Sequence, residues 1–253
     1  MTEITSRKNK AVLDTLALHT KKGRDGQGLF FTEGAKLLGE ALSVGRIPVK
    51  VFVTDRFLSS QGDSLPQCEI IKVTDEVYEK MTDESSPEGV LAIFEKAESI
   101  PKRDSCILLL EGIQDPGNLG TLLRCATAFG VREVLTVGCA DLYSPKTVRA
   151  TMGAVFKMPC RAFEDIDSAV EYGRRHCGTV IATALHPDSI LIENADTSHA
   201  VIMIGSEGRG LSNRAIELAD SKVIIPIDGI ESLNASVAGA ICMYDSMQKR
   251  RSK

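Results

Sequence analysis

The strongest constraint on the fold is a series of five short apolar runs in the C-terminal half, interspersed with stretches of helical periodicity. The first run begins Cys-Ile-Leu-Leu-Leu at residue 106, and its continuous apolarity is typical of a strand buried on both faces. Strands that alternate with helices form a mainly parallel sheet with helices on both faces. In such sheets the ligand binds at the carboxyl ends of the strands.

The pattern therefore predicts a parallel-sheet α/β domain over residues 106–253. The predicted strands are 106–113, 133–138, 179–185, 200–205 and 222–227, and the predicted helices are 118–129, 145–153, 165–177, 212–219 and 236–249. Residues 1–97 alternate in the same way on a smaller scale and predict a small α/β domain with a helix at Ala11–His19. The polar, proline-containing segment 98–105 is predicted to be the linker between the two domains.

Composition narrows the class of protein. No apolar run approaches the length of a membrane span, and the first ten residues have no apolar segment after their basic side chains, so we expect a cytoplasmic protein with no membrane partner. The seven cysteines form no Cys-x-x-Cys pair and are expected to be reduced core residues. The four histidines lack metal-ligand spacing, so no metal site is expected.

The net charge of −4 is unevenly distributed. Residues 1–24 hold six basic side chains against two acidic ones, and the tail 249–253 reads Lys-Arg-Arg-Ser-Lys. Basic ends on an acidic body suit local contacts with phosphates. They also serve solubility alone, and the sequence leaves both interpretations open.

Three segments carry side chains suited to chemistry. In 111–130 a predicted strand is followed by a Pro-Gly turn and a helix that opens near Asn118, a suitable N-cap. Gly120 permits a close approach to that helix, and Arg124 follows among apolar neighbours. A guanidinium in such a setting needs an anionic partner, either a structural carboxylate or a substrate.

The other two segments are loops after strands. Segment 201–212 contains Gly205, Gly208 and Gly210, whose backbone can surround a ligand closely. Their order is not the dinucleotide-binding G-x-G-x-x-G. Segment 223–244 delivers Ser-Leu-Asn at 232–234 to a helix that begins Ser-Val-Ala-Gly-Ala, whose small residues predict close packing, and an ordinary helix–helix contact satisfies that pattern too.

Taken together, the order and spacing of these segments resemble a known family. N-x-G-x-x-x-R from Asn118 to Arg124, G-x-E-x-x-G from Gly205 to Gly210, and I-P-x-x-G-x-x-S-L-N-x-S-x-A from Ile225 to Ala238 look like the three motifs of the SpoU (TrmH-like) RNA methyltransferases. The segment 149–159 is similar to another family segment, usually Arg-Ala-Ser-Met-Gly-Ala, with Thr151 in place of the serine. Ala235 likewise stands where the family usually has valine. The N-terminal region resembles the family's substrate-binding domain.

This resemblance implies a C-terminal trefoil knot, a homodimer and S-adenosylmethionine as cofactor. It implies that the adenine is held by backbone groups and apolar walls at the strand ends, as flat aromatic ligands are. The implied cofactor-binding residues are Gly205, Ile225, Leu233, Thr183, Ala184, Pro226 and Asn234.

The implied reaction is methylation of an RNA ribose 2′-hydroxyl, with ribosomal RNA favoured over transfer RNA and no DNA substrate expected. Arg124 resembles the family's essential arginine. Because a guanidinium resists deprotonation, we expect it to bind phosphate and stabilise the developing alkoxide before acting as a base. Asn118 and Asn234 are expected to orient Arg124 and the ribose. Glu207 is expected to fix the arginine and its own loop, and Ser232 to contact the hydroxyl or the cofactor.

Two other classes of protein compete with this interpretation. A non-catalytic RNA-binding or ribosome-assembly protein on a methyltransferase scaffold is expected to have lost Arg124 or Asn234, and both are present. A nucleotide-dependent oxidoreductase requires a phosphate-binding fingerprint that is missing here. The sequence therefore predicts the methyltransferase.

Overall fold

The structure is a computed structural model that describes residues 1–62, 65–96, 101 and 104–253. Most of the predicted linker, residues 98–100, 102 and 103, lies outside the described residues. By their contacts the residues form two compact units. Unit 1 comprises Met1–Ala97 and Asp141–Phe156, and unit 2 comprises Glu98–Ala140 and Lys157–Lys253.

The strands and helices are numbered in chain order. The strands are β1 (Thr2–Ile4), β2 (Leu29–Glu33), β3 (Lys50–Val53), β4 (Glu69–Val73), β5 (Val90–Glu95), β6 (Ile107–Glu111), β7 (Val134–Val137), β8 (Cys160–Phe163), β9 (Thr179–Thr183), β10 (Ile190–Leu191), β11 (Ala200–Ile204) and β12 (Ser221–Ile224). The helices are α1 (Lys10–Ala17), α2 (Lys21–Gln27), α3 (Ala35–Ser43), α4 (Asp55–Gln61), α5 (Asp75–Met81), α6 (Pro116–Phe129), α7 (Pro145–Thr151), α8 (Ile166–Cys177), α9 (Asn213–Leu218) and α10 (Ala235–Arg251).

Unit 1 is built on a five-stranded mixed sheet in the order β1-β4-β3-β5-β2. Strands β1, β4 and β3 run parallel, and β5 runs antiparallel to both β3 and β2. Helix α2 was not predicted, because its sequence Lys-Lys-Gly-Arg-Asp-Gly-Gln contains two glycines and no apolar side chain. It is held by its ends instead: Thr20 accepts a hydrogen bond from the amide of Gly23 at 3.1 Å, and Gly28 closes the helix in a left-handed conformation.

The segment Asp141–Phe156 packs in unit 1, although the sequence places it in the domain 106–253. Asp141 accepts hydrogen bonds from the guanidinium of Arg24 at 2.5 and 3.1 Å, and the arginine is only 3% exposed. The rings of Tyr143 and Phe156 lie 4.8 and 5.9 Å from that of Phe30. Removing one partner of a buried ion pair costs about 3–5 kcal/mol, so the segment is tied to this unit by both charge and apolar packing.

Unit 2 contains a seven-stranded, entirely parallel sheet in the order β10-β12-β9-β11-β6-β7-β8, which confirms the predicted fold class. Ile107 and Leu109 of β6 pack in a cluster that includes Ala169 and Val170 of α8. Leu108 and Leu110 alternate with them and are fully buried as well. The first strand is therefore buried on both faces, as its apolar run predicts.

Two helices of unit 2 pack very closely. A β-carbon added to Gly239 of α10 would lie 2.4 Å from a terminal methyl group of Leu122 in α6. The small residues of α10 therefore do serve close packing, against α6.

All seven cysteines are free thiols, and burial raises the pKa of Cys160 and Cys242 to about 12, so both stay protonated at neutral pH. Within the described residues, none of the helices is long and apolar enough to cross a membrane.

Candidate active site

The site is organised around the carboxyl ends of four neighbouring strands, β12, β9, β11 and β6. Helix α6, which follows β6, begins at Pro116, two residues before the predicted helix 118–129. Its N-cap is Asp115, which accepts a hydrogen bond from the amide of Asn118 at 2.7 Å, and Pro116 occupies the first helical position. The expectation that Asn118 caps this helix is therefore wrong. The ring of Pro116 fixes a backbone angle that suits the first turn of a helix, so the residue before it, Asp115, becomes the cap. The side chain of Asn118 is therefore available for other contacts.

Three motif residues are joined by side-chain hydrogen bonds. The Asn118 amide donates to the carboxylate of Glu207, and its own oxygen accepts from Nδ2 of Asn234 at 3.1 Å. The Asn234 oxygen in turn accepts from the backbone amide of Ser236 at 2.9 Å, and Asn234 thereby caps α10. Each of the three segments singled out in the sequence contributes one member. The network therefore links the start of α6, the glycine loop and the start of α10.

The glycine loop after β11 is fixed at both ends. A β-carbon on Gly205 would lie 2.1–2.3 Å from backbone atoms of Gly210 and Leu211, so no larger residue fits. Further along, Ser212 donates to the carboxylate of Glu111 through its amide and its hydroxyl, both at 2.8 Å. Glu111 ends β6 and Ser212 caps α9. These contacts hold the backbone of the loop in place at its junctions with β11 and α9.

A cleft of about 150 Å³ lies at the ends of β9 and β12. It brings together Thr183, Ala184, Ile225 and Leu233 of the predicted cofactor set, and Ser232 of the predicted catalytic set. Gly205, Pro226 and Asn234 are not among its lining residues, although Asn234 directly follows Leu233. Glu231, an acidic residue that the sequence did not single out, also lines the cleft.

Some backbone groups at this cleft already form hydrogen bonds within the protein, and others do not. The amide of Ala184 already donates to the carbonyl of Val223 at 3.1 Å, and its carbonyl accepts from the hydroxyl of Ser189 at 2.7 Å. The amides of Ile225 and Leu233 make no hydrogen bond with any described residue. Polar backbone groups beside an aliphatic wall need a partner when a ligand covers them. The arrangement suits a flat ligand with ring nitrogens.

Arg124 stands apart from the network. Its side chain is exposed on α6 and has no hydrogen bond or ion pair with the described residues. It follows Asn118 by six residues, so the two side chains leave the helix about 120° apart. The carboxylate of Glu207 bonds to Asn118 and not to Arg124, contrary to the role expected for it. The sequence left two anionic partners open for this guanidinium, a structural carboxylate or a substrate. Among the described residues, no carboxylate pairs with it.

Two positioning residues were missed by sequence reasoning. Glu111 and Ser212 anchor the glycine loop, and the signal for Glu111 was its place as the last residue of a buried strand. Nothing in the sequence pairs it with a serine 101 residues away.

Among the described residues, no group of three or more His, Cys, Asp or Glu side chains is placed to hold a metal ion.

Comparison with known proteins gives matches over both parts of the chain. Residues 105–244 match the model of the SpoU rRNA Methylase family, and residues 9–92 match that of the MRM3-like substrate binding domain. The 23S rRNA (guanosine(2553)-2′-O)-methyltransferase RlmP of Bacillus subtilis is 32% identical, over 96% of this chain and 98% of its own length. The human mitochondrial rRNA methyltransferase 3 is 27% identical, over 91% and 70% respectively.

Solved structures agree with the sequence matches. The AdoMet-bound rRNA methyltransferase from Sinorhizobium meliloti superposes with a TM-score of 0.85 at 31% identity, covering 98% of this chain and 97% of that one. The SpoU methyltransferase AviRb from Streptomyces viridochromogenes, in complex with AdoMet, gives 0.83 at 26% identity, covering 97% and 100%. The resemblance inferred from the three motifs is confirmed, and the chain belongs to the SpoU rRNA Methylase family.

Proposed function

We propose that the protein is an S-adenosylmethionine-dependent methyltransferase that modifies a ribose 2′-hydroxyl in ribosomal RNA. The observation that carries this proposal is the network of Asn118, Glu207 and Asn234 beside the cleft at the strand ends. A non-catalytic relative would have no need to keep these polar side chains hydrogen-bonded to one another next to a ligand cleft. The network therefore favours an enzyme over a non-catalytic RNA-binding protein on the same scaffold.

The cleft fits the cofactor chemically. Its aliphatic walls suit adenine, as do the amides of Ile225 and Leu233, which have no hydrogen-bond partner among the described residues. The acidic residue Glu231 in its lining suits a cationic ligand. When bound, the cofactor supplies a methyl group activated by a sulfonium. The chain's residues then have two tasks, which are to hold the ribose hydroxyl in line with that methyl group and to accommodate its proton.

The roles of Asn118, Glu207 and Ser232 are assigned from their contacts, and that of Arg124 from its exposure and charge. Asn118 is held by Glu207 and Asn234 and is therefore a rigid hydrogen-bonding group for the ribose. Ser232 lines the cleft and is placed to contact the hydroxyl or the cofactor. Arg124, exposed and unpaired within the described chain, binds the phosphate next to the reacting ribose and stabilises the developing alkoxide while the hydroxyl proton passes to solvent water. Glu207 fixes Asn118 and the glycine loop.

The function is tested by mapping 2′-O-methyl groups in ribosomal and transfer RNA from cells with and without this gene. We expect one ribosomal ribose to lose its methyl group in the deletion and to regain it when purified protein and S-adenosylmethionine are added to the extracted RNA. A methyl group lost from transfer RNA instead would overturn the substrate. No loss from either RNA, with no methylation in the purified reaction, would overturn the function.

We also propose that unit 1 binds the RNA. Of the six basic residues in 1–24, Arg7, Lys21 and Arg24 are engaged within the unit, with a backbone carbonyl, Asp25 and Asp141 respectively. Three others are exposed and unpaired among the described residues: Lys8, Lys10 and Lys22.

The basic side chains of the C-terminal tail are mostly engaged within unit 2, since Lys249, Arg250 and Lys253 all form hydrogen bonds there. The phosphate-binding surface is therefore expected at Lys8, Lys10 and Lys22.

Replacing Lys8, Lys10 and Lys22 together with glutamine should weaken RNA binding about tenfold and leave cofactor affinity unchanged, because each lost phosphate contact removes counterion release. RNA filter binding over a salt series and calorimetry with S-adenosylmethionine measure the two affinities. The matched control neutralises Lys50, Lys72 and Lys96, which are ion-paired in the same unit. Equal weakening in both triple variants would contradict the assignment.

The remaining proposals concern assembly and location. We propose a homodimer in which the exposed apolar side chains of Val237 and Tyr244 on α10, with α6 beside them, form part of the interface. Sedimentation at micromolar concentration should then give twice the mass of the 27.3-kDa chain, and a monomer would contradict this. The C-terminal trefoil knot and a cytoplasmic location remain proposals that rest on family membership and on the sequence.

A further inference from the structure

The tip of the glycine loop is a rigid three-residue turn. The amide of Ser206 donates to the carbonyl of Gly210 at 3.2 Å, and the amide of Gly210 donates back at 2.8 Å. Gly210 has a φ of +66°, the left-handed conformation that closes three-residue hairpin loops. Residues 207–209 therefore form the tip, on a backbone already fixed by the bond between Glu207 and Asn118 and by the one between Ser212 and Glu111.

The three tip residues differ in what they are free to do. Glu207 is committed to Asn118, and Gly208 has no side chain. Arg209 is exposed and makes no hydrogen bond or ion pair with the described residues. By contrast Arg214, five residues further on, is bound to Asp167 and Glu217. The loop thus presents one free guanidinium at a position that the rest of the network defines.

The hydrogen-bond network connects the tip that carries Arg209 to the cleft. Arg209 is two residues from Glu207, Glu207 bonds to Asn118, and Asn118 bonds to Asn234, the neighbour of Leu233 in the cleft. A substrate ribose placed against Asn118 carries a phosphate on each side, and a guanidinium matches phosphate geometry with two parallel hydrogen bonds. With Arg124 assigned to one phosphate, a second cation is needed to fix the direction of the strand.

We propose that Arg209 binds a backbone phosphate of the substrate RNA flanking the methylated nucleotide. It is a positioning residue, because it sets where the RNA strand lies and does not touch the reacting atoms. This inference rests on the proposed function, since it assumes an RNA substrate at the cleft. It assigns the glycine loop a role in holding substrate as well as in shaping the site.

The test compares Arg209→Gln with Arg214→Gln, which removes the same charge from the same segment but from an arginine that is already paired. For Arg209→Gln we expect KM for RNA to rise about five- to tenfold while kcat changes less than about twofold, as for one exposed charge-assisted hydrogen bond. The slope of log Kd for RNA against log salt should become shallower by about 0.7–0.9. Arg209→Lys should restore most of that slope and part of KM.

Arg214→Gln is expected to keep the wild-type KM and salt slope. The inference is overturned if Arg209→Gln keeps them too, or if Arg214→Gln loses as much. A fall in kcat for Arg209→Gln with KM unchanged would also overturn it, because a positioning contact with phosphate acts on binding. Failure of the underlying function is distinguished by the wild-type protein, which would then methylate no RNA at any concentration.

Discussion

An Arg124→Ala variant should bind S-adenosylmethionine as tightly as the wild type and methylate RNA at least about 100-fold more slowly. Arg124 is exposed and unpaired within the described chain, so its loss leaves no buried charge and should cost the fold little. The cleft is lined by other residues, so cofactor affinity should not change. Single-turnover methylation and calorimetric titration of the cofactor measure the two quantities separately.

Arg124→Lys sharpens this prediction. A lysine keeps the positive charge but loses the planar fork of the guanidinium, so a phosphate clamp should retain a measurable part of the rate. Thr121→Ala, at another exposed position of the same helix, controls for disturbance of α6. If Arg124→Ala, folded and bound to cofactor, methylates RNA at nearly the wild-type rate, the catalytic assignment is wrong.

Gly205→Ala should destabilise the parallel-sheet unit by at least about 3 kcal/mol, the upper part of the range for overpacking. The added β-carbon would lie 2.1 Å from the carbonyl carbon of Gly210 and 2.2 Å from the nitrogen of Leu211. Both are backbone atoms, so relief requires the loop to move as a whole. That movement would separate Glu207 from Asn118, and methylation should fall with stability.

Gly208→Ala provides a control in the same loop, because a β-carbon there has no atom within 4 Å. It should change the free energy of unfolding by less than about 1 kcal/mol. Urea unfolding followed by far-ultraviolet circular dichroism, together with methylation assays, measures both variants. Equal effects of the two substitutions, or wild-type behaviour of Gly205→Ala, would refute the claim that the backbone approach at Gly205 holds the loop.

The sequence predicted the centre of the parallel sheet well because strands β6 and β11 are buried on both faces. In a strand, four consecutive apolar side chains such as those of Ile107–Leu110 are all buried only when both faces of the sheet are covered. Strands β8 and β10 were missed for the opposite reason. Both lie at the edges of the sheet, where none of their residues is fully buried and no apolar run marks them.

Local signals failed where the partner of a segment lies far away in the chain. The periodicity of 145–153 predicted a helix, and α7 spans Pro145–Thr151, but periodicity does not say against which core a helix packs. Tyr143 and Phe156 pack with Phe30, more than 100 residues earlier, and Asp141 pairs with Arg24. Long-range apolar contacts and one buried ion pair decided the unit to which this segment belongs.

By itself, the sequence determined the strand and helix pattern, the three motifs and the family to which they point, because these depend on residue identity and short-range spacing. Only the tertiary structure decided which polar groups meet. It joined Glu207 to Asn118, left Arg124 without a partner among the described residues, and set Ser212 against Glu111. A hydrogen bond between residues about 90 or more positions apart depends on the path of the whole chain, and no local pattern encodes that path.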